Sequence, residues 1–121
     1  MNPVILKSGL TLSLAVGNFP AVLLGSAYIA QPSSLAIMLI SDDGIGEPLA
    51  TASVYVEAIT PLLEPDEFVC KNYSENIGMD NWLTDEGLAT DTEKRCVVGR
   101  TCCPILRLSP ELFAILSEAR T

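Results

Sequence analysis

Apolar and polar positions alternate along much of the first half of the chain, and the alternation predicts strands. Leu10, Leu12, Leu14 and Val16 are spaced two apart, with Thr11, Ser13 and Ala15 between them, the period of a strand with one buried face. Gly17-Asn18-Phe19-Pro20 reads as a turn. Val22 to Ala30 and Leu35 to Ile40 read as further strands, separated by Gln31-Pro32-Ser33-Ser34. Leu35 to Ile40 is apolar on both faces, which places it centrally in a sheet. Asp42-Asp43-Gly44 is a hairpin turn signal. Leu49 to Glu57 is its expected partner, with Ala52, Val54 and Val56 on one face. Pro61 and Pro65 mark a loop, and Glu67 to Asn72 a short strand.

Beyond Asn72 the period changes to that of a helix. Met79, Trp82 and Leu83 form one apolar stripe. Ser74 has the residue type of an N-cap, and Glu75 in the first turn suits the helix dipole. Gly87 fits the left-handed position past the helix end, from which Leu88 packs back on Leu83. The expected helix therefore covers Ser74 to Glu86. Ala89 to Lys94 reads as a polar connection, and Cys96 to Leu108 as one or two strands broken near Gly99 or Pro104. Ser109-Pro110-Glu111 opens a second helix, combining an N-cap hydroxyl, a proline in the first helical position and an early acid. Leu112, Ile115, Leu116 and Ala119 supply its apolar face. The fold predicted is α+β: an antiparallel sheet of five or six strands with one central and one C-terminal helix, in a single domain over residues 1–121.

Composition narrows the function classes. The chain has 121 residues, 49% of them hydrophobic, enough to build a core without disulfides and too apolar for disorder. The net charge of −8 argues against direct nucleic-acid binding and against anionic membrane, and favours basic partners. Histidine is absent, which excludes a Ser-His-Asp or Cys-His arrangement within the chain. Cys70, Cys96, Cys102 and Cys103 lack the short paired spacing of zinc sites. They read as buried thiols in a reducing cytoplasm, so neither metal nor cofactor is expected. No charge occurs from Ser8 to Ser41. Lys7 ahead of that run gives it the make-up of a signal segment, with Leu10 to Ala30 as the apolar part. Gly17, Asn18 and Pro20 cut the run into pieces too short to span a bilayer, and strands are the preferred reading.

Gly46-Glu47-Pro48-Leu49-Ala50-Thr51-Ala52-Ser53-Val54, then Lys71-Asn72-Tyr73-Ser74-Glu75-Asn76-Ile77-Gly78-Met79, then Pro104-Ile105-Leu106-Arg107-Leu108 occur in that order. Together they resemble a family of small proteins of unknown function carried on bacterial plasmids, prophages and integrative elements. The resemblance covers roughly residues 35 to 108, with Tyr-Ser-Glu-Asn its most specific part. It implies a mobile-element origin and a fold, and no activity. Family members usually have an acid where this chain has Ile77, which would complete a capping box with the serine.

Between Glu64 and Glu93 lie nine carboxylates against one lysine, so this segment holds the whole net charge. Either it is an ordinary solvated face, or it docks on a basic partner. On an ideal helix Ile77 would lie about 140° from Trp82 and 200° from Met79 at ~100° per residue. That sets it off the buried stripe among the acids, where an apolar residue can anchor an interface. Glu75, Ile77, Asp80, Asp85 and Glu86 are accordingly the candidate partner-binding residues. Lys94, Arg95, Arg100 and Arg107 form an opposing cationic group that either pairs internally with the acidic helix or supports a homodimer. Asp42-Asp43 and Asp85-Glu86 are carboxylate pairs of the kind used in acid–base or cation chemistry, but neither has a supporting motif and no catalytic residue is assigned. The expectation is a non-enzymatic inhibitor from a phage or plasmid. It would occlude the basic nucleic-acid groove of a host defence complex, in the manner of an anti-CRISPR or anti-restriction protein. The alternative is a structural or regulatory element protein that self-associates; a secreted protein stands third.

Overall fold

The computed structural model describes residues 3–120. Strands β1 (Val4–Leu14), β2 (Gly17–Tyr28), β3 (Gln31–Ser41) and β4 (Pro48–Thr51) form an antiparallel meander in the order β1-β2-β3-β4. Strands β5 (Glu67–Val69), β6 (Ala89–Val98) and β7 (Thr101–Leu108) form a second antiparallel sheet in the order β5-β7-β6. Helix α1 spans Met79–Asp85 and α2 spans Pro110–Ala119. The class is α+β as expected, with the strands divided between two sheets rather than held in one.

The chain joins the sheets at one segment. After β4 the amide of Ala52 donates to Ile37 O at 2.9 Å, within the first sheet. Two residues on, Val54 N donates to Val69 O at 3.0 Å, in the second. The strand expected over Leu49 to Glu57 is therefore cut short at Thr51, because its continuation changes partner. One cluster of buried side chains draws on both sheets and both helices, including Leu12, Leu23, Ile37, Leu39, Phe68, Met79, Leu83, Leu106, Leu108 and Leu116. A smaller cluster of Val69, Cys96, Cys103 and Ile105 lies under the loop that carries Val54, Val56, Ile59 and Leu63.

Several boundaries differ from the sequence expectation. Gly17–Pro20 and Gln31–Ser34 lie inside β2 and β3, and the turns fall at Ala15-Val16 and Ile29-Ala30. Ala89 to Lys94 is strand, not connection: as an outer strand β6 exposes most side chains, so its polar composition hides the pairing. Pro104 sits in β7, the middle strand, where a proline removes a ladder hydrogen bond. Opposite it the register of β6 shifts between Asp91 and Arg95, around Glu93 at φ 69, so the irregularity falls where the proline needs it.

The C-terminal helix starts as predicted, with Ser109 Oγ accepting from Leu112 N. Its buried residues are Leu112 and Leu116; Ile115 and Ala119 face outward. The central helix is shorter than expected. Ser74–Asn76 forms a separate 3-10 turn, Ile77 leaves it in an extended conformation (φ −53, ψ 124), and Gly78 at φ 93 precedes Met79. Ser74 therefore does not cap α1. Gly87 does terminate it, at φ 70, with Leu88 N donating to Leu83 O at 3.0 Å, the closure expected of a left-handed stop. No helix among the described residues is long and apolar enough to cross a membrane; the uncharged N-terminal run forms β1, β2 and β3.

Candidate partner-binding site

Helix α1 is held by its apolar stripe. Met79, Trp82 and Leu83 are buried, and the Trp82 indole N–H donates to Thr11 O on β1 at 2.9 Å. At ~100° per residue, fixing that stripe inward turns Asp80 and Thr84 to one flank and Asp85 to the other. The Asp80 flank faces β6 across a groove of about 300 Å³, lined by Asp80, Asn81, Thr84, Ala89, Thr90, Asp91 and Leu106. Asp91 on the far wall is held by the Arg95 guanidinium at 2.9 Å. That ion pair, followed by the Glu93 amide, keeps its carboxyl below the usual range.

The predicted site residues share one segment but do not form one cluster. Glu75 is exposed on the 3-10 turn and paired with Lys71 Nζ at 2.7 Å. The lysine lowers its pKa. Ile77 is 61% exposed, as expected, but not for the helical reason given, since it lies outside any helix. Asp80 is half-buried in the first turn of α1, while Asp85 and Glu86 project from its C-terminal end.

Three of the four cationic residues pair internally, though not in a salt bridge with α1; Arg100 is exposed and enters no salt bridge among the described residues. Lys94 Nζ lies 2.7 Å and Arg107 Nη2 3.0 Å from Glu67 Oε2, and Arg107 Nε lies 3.3 Å from Asp66. Arg95 takes Asp91. Among the described residues Asp80, Asp85 and Glu86 enter no salt bridge. The Glu67 side chain is only 1% exposed. Burial alone would raise its pKa, but Lys94, the Glu64 amide and Arg107 outweigh burial and lower it.

Composition and spacing gave no hint of a second groove. About 190 Å³ in volume, it opens between β1, the start of β2, β4 and the 3-10 turn. Leu12, Leu14, Val16, Phe19, Pro48, Leu49 and Ala50 line it, with Glu75 and Asn76 as its polar residues. Asn76 is 1% exposed. Its Nδ2 donates to Thr51 O at 2.8 Å, while its Oδ1 accepts no hydrogen bond from the chain. An unsatisfied buried acceptor costs about 1–3 kcal/mol. Ser74, two residues earlier, adopts a left-handed φ of 59, a conformation uncommon for a side-chain-bearing residue.

The cysteines match the buried-thiol reading at three positions. Burial raises the pKa of Cys70, Cys96 and Cys103, whereas Cys102 is exposed. No group of three or more Cys, Asp or Glu side chains among the described residues is placed to hold a metal ion.

No family model matches the chain, and no curated protein or solved structure does so.

Proposed function

We propose that this protein acts by binding, through the carboxylates of α1 and its flanking turns, to a basic surface on another protein. The observation that carries the proposal is the distribution of ion pairs. Lys71, Lys94, Arg95 and Arg107 are engaged with Glu75, Glu67, Asp91 and Asp66, and among the described residues Asp80 and Asp85 of α1 and Glu86 at its C-cap have no salt-bridge partner. Uncompensated charge of one sign steers a complementary partner and sets its register. In its specific form, the target is the nucleic-acid groove of a host defence complex and the protein a mobile-element inhibitor of it. That form draws on the net charge and on the resemblance carried by Tyr73-Ser74-Glu75-Asn76.

The test is co-purification from a bacterial host. A nucleic-acid-binding complex should be recovered, and should be released as salt screens the exposed charges. Asp80→Lys with Asp85→Lys should weaken the complex by about a hundredfold, because placing like charges opposite one another costs several kcal/mol and ~1.4 kcal/mol is tenfold. Binding unchanged by that double reversal refutes the acidic-face reading. Self-association is the second reading, favoured by the outer strands β1 and β6, which carry Ile5 and Val97 at 64% and 70% exposure. Unpaired strand edges are templates for a second chain, and a dimer in light scattering without any partner would mark that route.

A further inference from the structure

The geometry points to the Asn76 groove as the receptor for one arginine side chain of the basic partner, an inference that rests on the binding reading above and names an anchor for it. Its volume of about 190 Å³ lies below the ~300–1,000 Å³ of small-molecule sites, so a single side chain fits better than a free ligand. Its walls are apolar along Leu12, Leu14, Phe19 and Leu49, and its polar groups are two, Glu75 and Asn76. An occupant that suits both has an aliphatic stem and a donor-bearing cationic head.

Both polar residues can only gain from donors. Asn76 is fixed by its Nδ2 bond to Thr51 O, and its buried Oδ1 accepts nothing from the chain; closed off from solvent, that oxygen is reached by an N–H only as the occupant displaces the wall around it. Glu75 is an exposed carboxylate whose one cation, Lys71, approaches a single oxygen, Oε1. A guanidinium carries five N–H donors in a planar fork and is more weakly hydrated than an ammonium. It can therefore give one N–H toward Glu75 and, as the wall at Asn76 yields, another to Asn76 Oδ1, with its face against Phe19. Lysine offers the stem and the charge without the fork. The net charge of −8 favours delivery of either cation.

The test is an NMR titration of the isotope-labelled full chain with acetyl-Gly-Arg-Gly-amide, and with the lysine, citrulline and norleucine versions of that peptide. The arginine peptide should shift the Asn76 side-chain amide and the Leu12, Leu14 and Leu49 methyls saturably at millimolar concentration. Lysine should bind more weakly, and citrulline and norleucine more weakly still. Glu75→Gln should weaken the arginine peptide about twofold to fivefold, the range for an exposed ion pair. Ala50→Leu should fill the groove and abolish the shifts; should that variant not fold, Glu75→Gln decides. Shifts confined to the amides of Asp80, Asp85 and Glu86 overturn the groove while leaving the acidic-face reading standing. Shifts of equal size with norleucine, or no shifts anywhere, overturn it as well, and the latter counts against both.

Discussion

Glu67 offers the sharpest test of the electrostatics, because it is a buried carboxylate that two cations and an amide hold in its ionised form. Its oxygens accept from Lys94 Nζ at 2.7 Å, Arg107 Nη2 at 3.0 Å and Glu64 N at 2.9 Å. Glu67→Gln keeps the shape and the acceptor for Glu64 N but removes the charge. The Gln NH2 then takes the place of Oε2 and faces the donors of Lys94 and Arg107, so both charge-assisted bonds are lost; at about 1.5–3 kcal/mol each that is an upper bound of roughly 3–6 kcal/mol. Lys94 and Arg107 are 53% and 44% exposed and can rehydrate, which lowers the expected loss to about 1–2 kcal/mol, well below the ~3–5 of a fully buried pair. At ~2.1 cal/mol/K per residue, that is a fall in Tm of about 4–8 °C. Urea unfolding followed through the fluorescence of Trp82, the one tryptophan in the chain, measures it directly. The pH dependence fixes the sign. The folded-state pKa of Glu67 lies below the ordinary 4.5, so its contribution is complete above 4.5 and disappears as pH falls through the folded value. Wild type and Glu67→Gln should therefore differ fully at pH 7 and converge in acid. Equal stability at pH 7, or a gap that survives protonation, refutes the reasoning.

Two further outcomes follow from burial and backbone geometry. A thiol reagent such as DTNB should modify Cys102 rapidly in the folded protein and the other three cysteines only on unfolding, since burial keeps those thiols protonated; rapid loss of two or more thiols would contradict the structure. Gly87→Ala should destabilise the protein by about 1–2 kcal/mol in the same urea assay, because Gly87 sits at φ 70 and the left-handed region costs an L-residue that much; a neutral or stabilising result would show that α1 does not end there.

Local signals in the sequence were reliable where local chemistry decides the structure. Ser109-Pro110 caps and opens α2 with its own hydroxyl, and Gly87 ends α1 by its own backbone freedom. Signals failed where tertiary partners decide. The polar run from Ala89 to Lys94 becomes strand because β7 pairs with it. The alternating run after Thr51 leaves its sheet because Val69 offers a partner in the other. Gly78 marks the break, since a glycine inside a helix costs about 1 kcal/mol relative to alanine, and the expected helix began five residues too early. Ile77 was thus right about exposure and wrong about cause.

The same distinction governs the candidate site. Charge is a property of each residue, so the excess of acid near α1 could be counted along the chain, and the structure adds only which of those acids already have partners. A groove is a property of several segments at once. Residues from β1, β2, β4 and the turn at Glu75-Asn76 wall the second cavity, and no spacing rule links positions so far apart. Asn76 gave no sign of its own: a lone asparagine after Ser-Glu reads as a surface turn residue, and only the fold shows it 1% exposed with an oxygen that accepts nothing. Long-range attraction at Asp80, Asp85 and Glu86 would raise the rate of encounter, while a buried acceptor in an apolar groove would set which side chain stays. On the arginine reading, diffuse charge would tolerate many basic partners, while the unpaired Asn76 acceptor beside an apolar groove would disfavour a side chain that brings no donor, so specificity would rest on Asn76 more than on the acids around it.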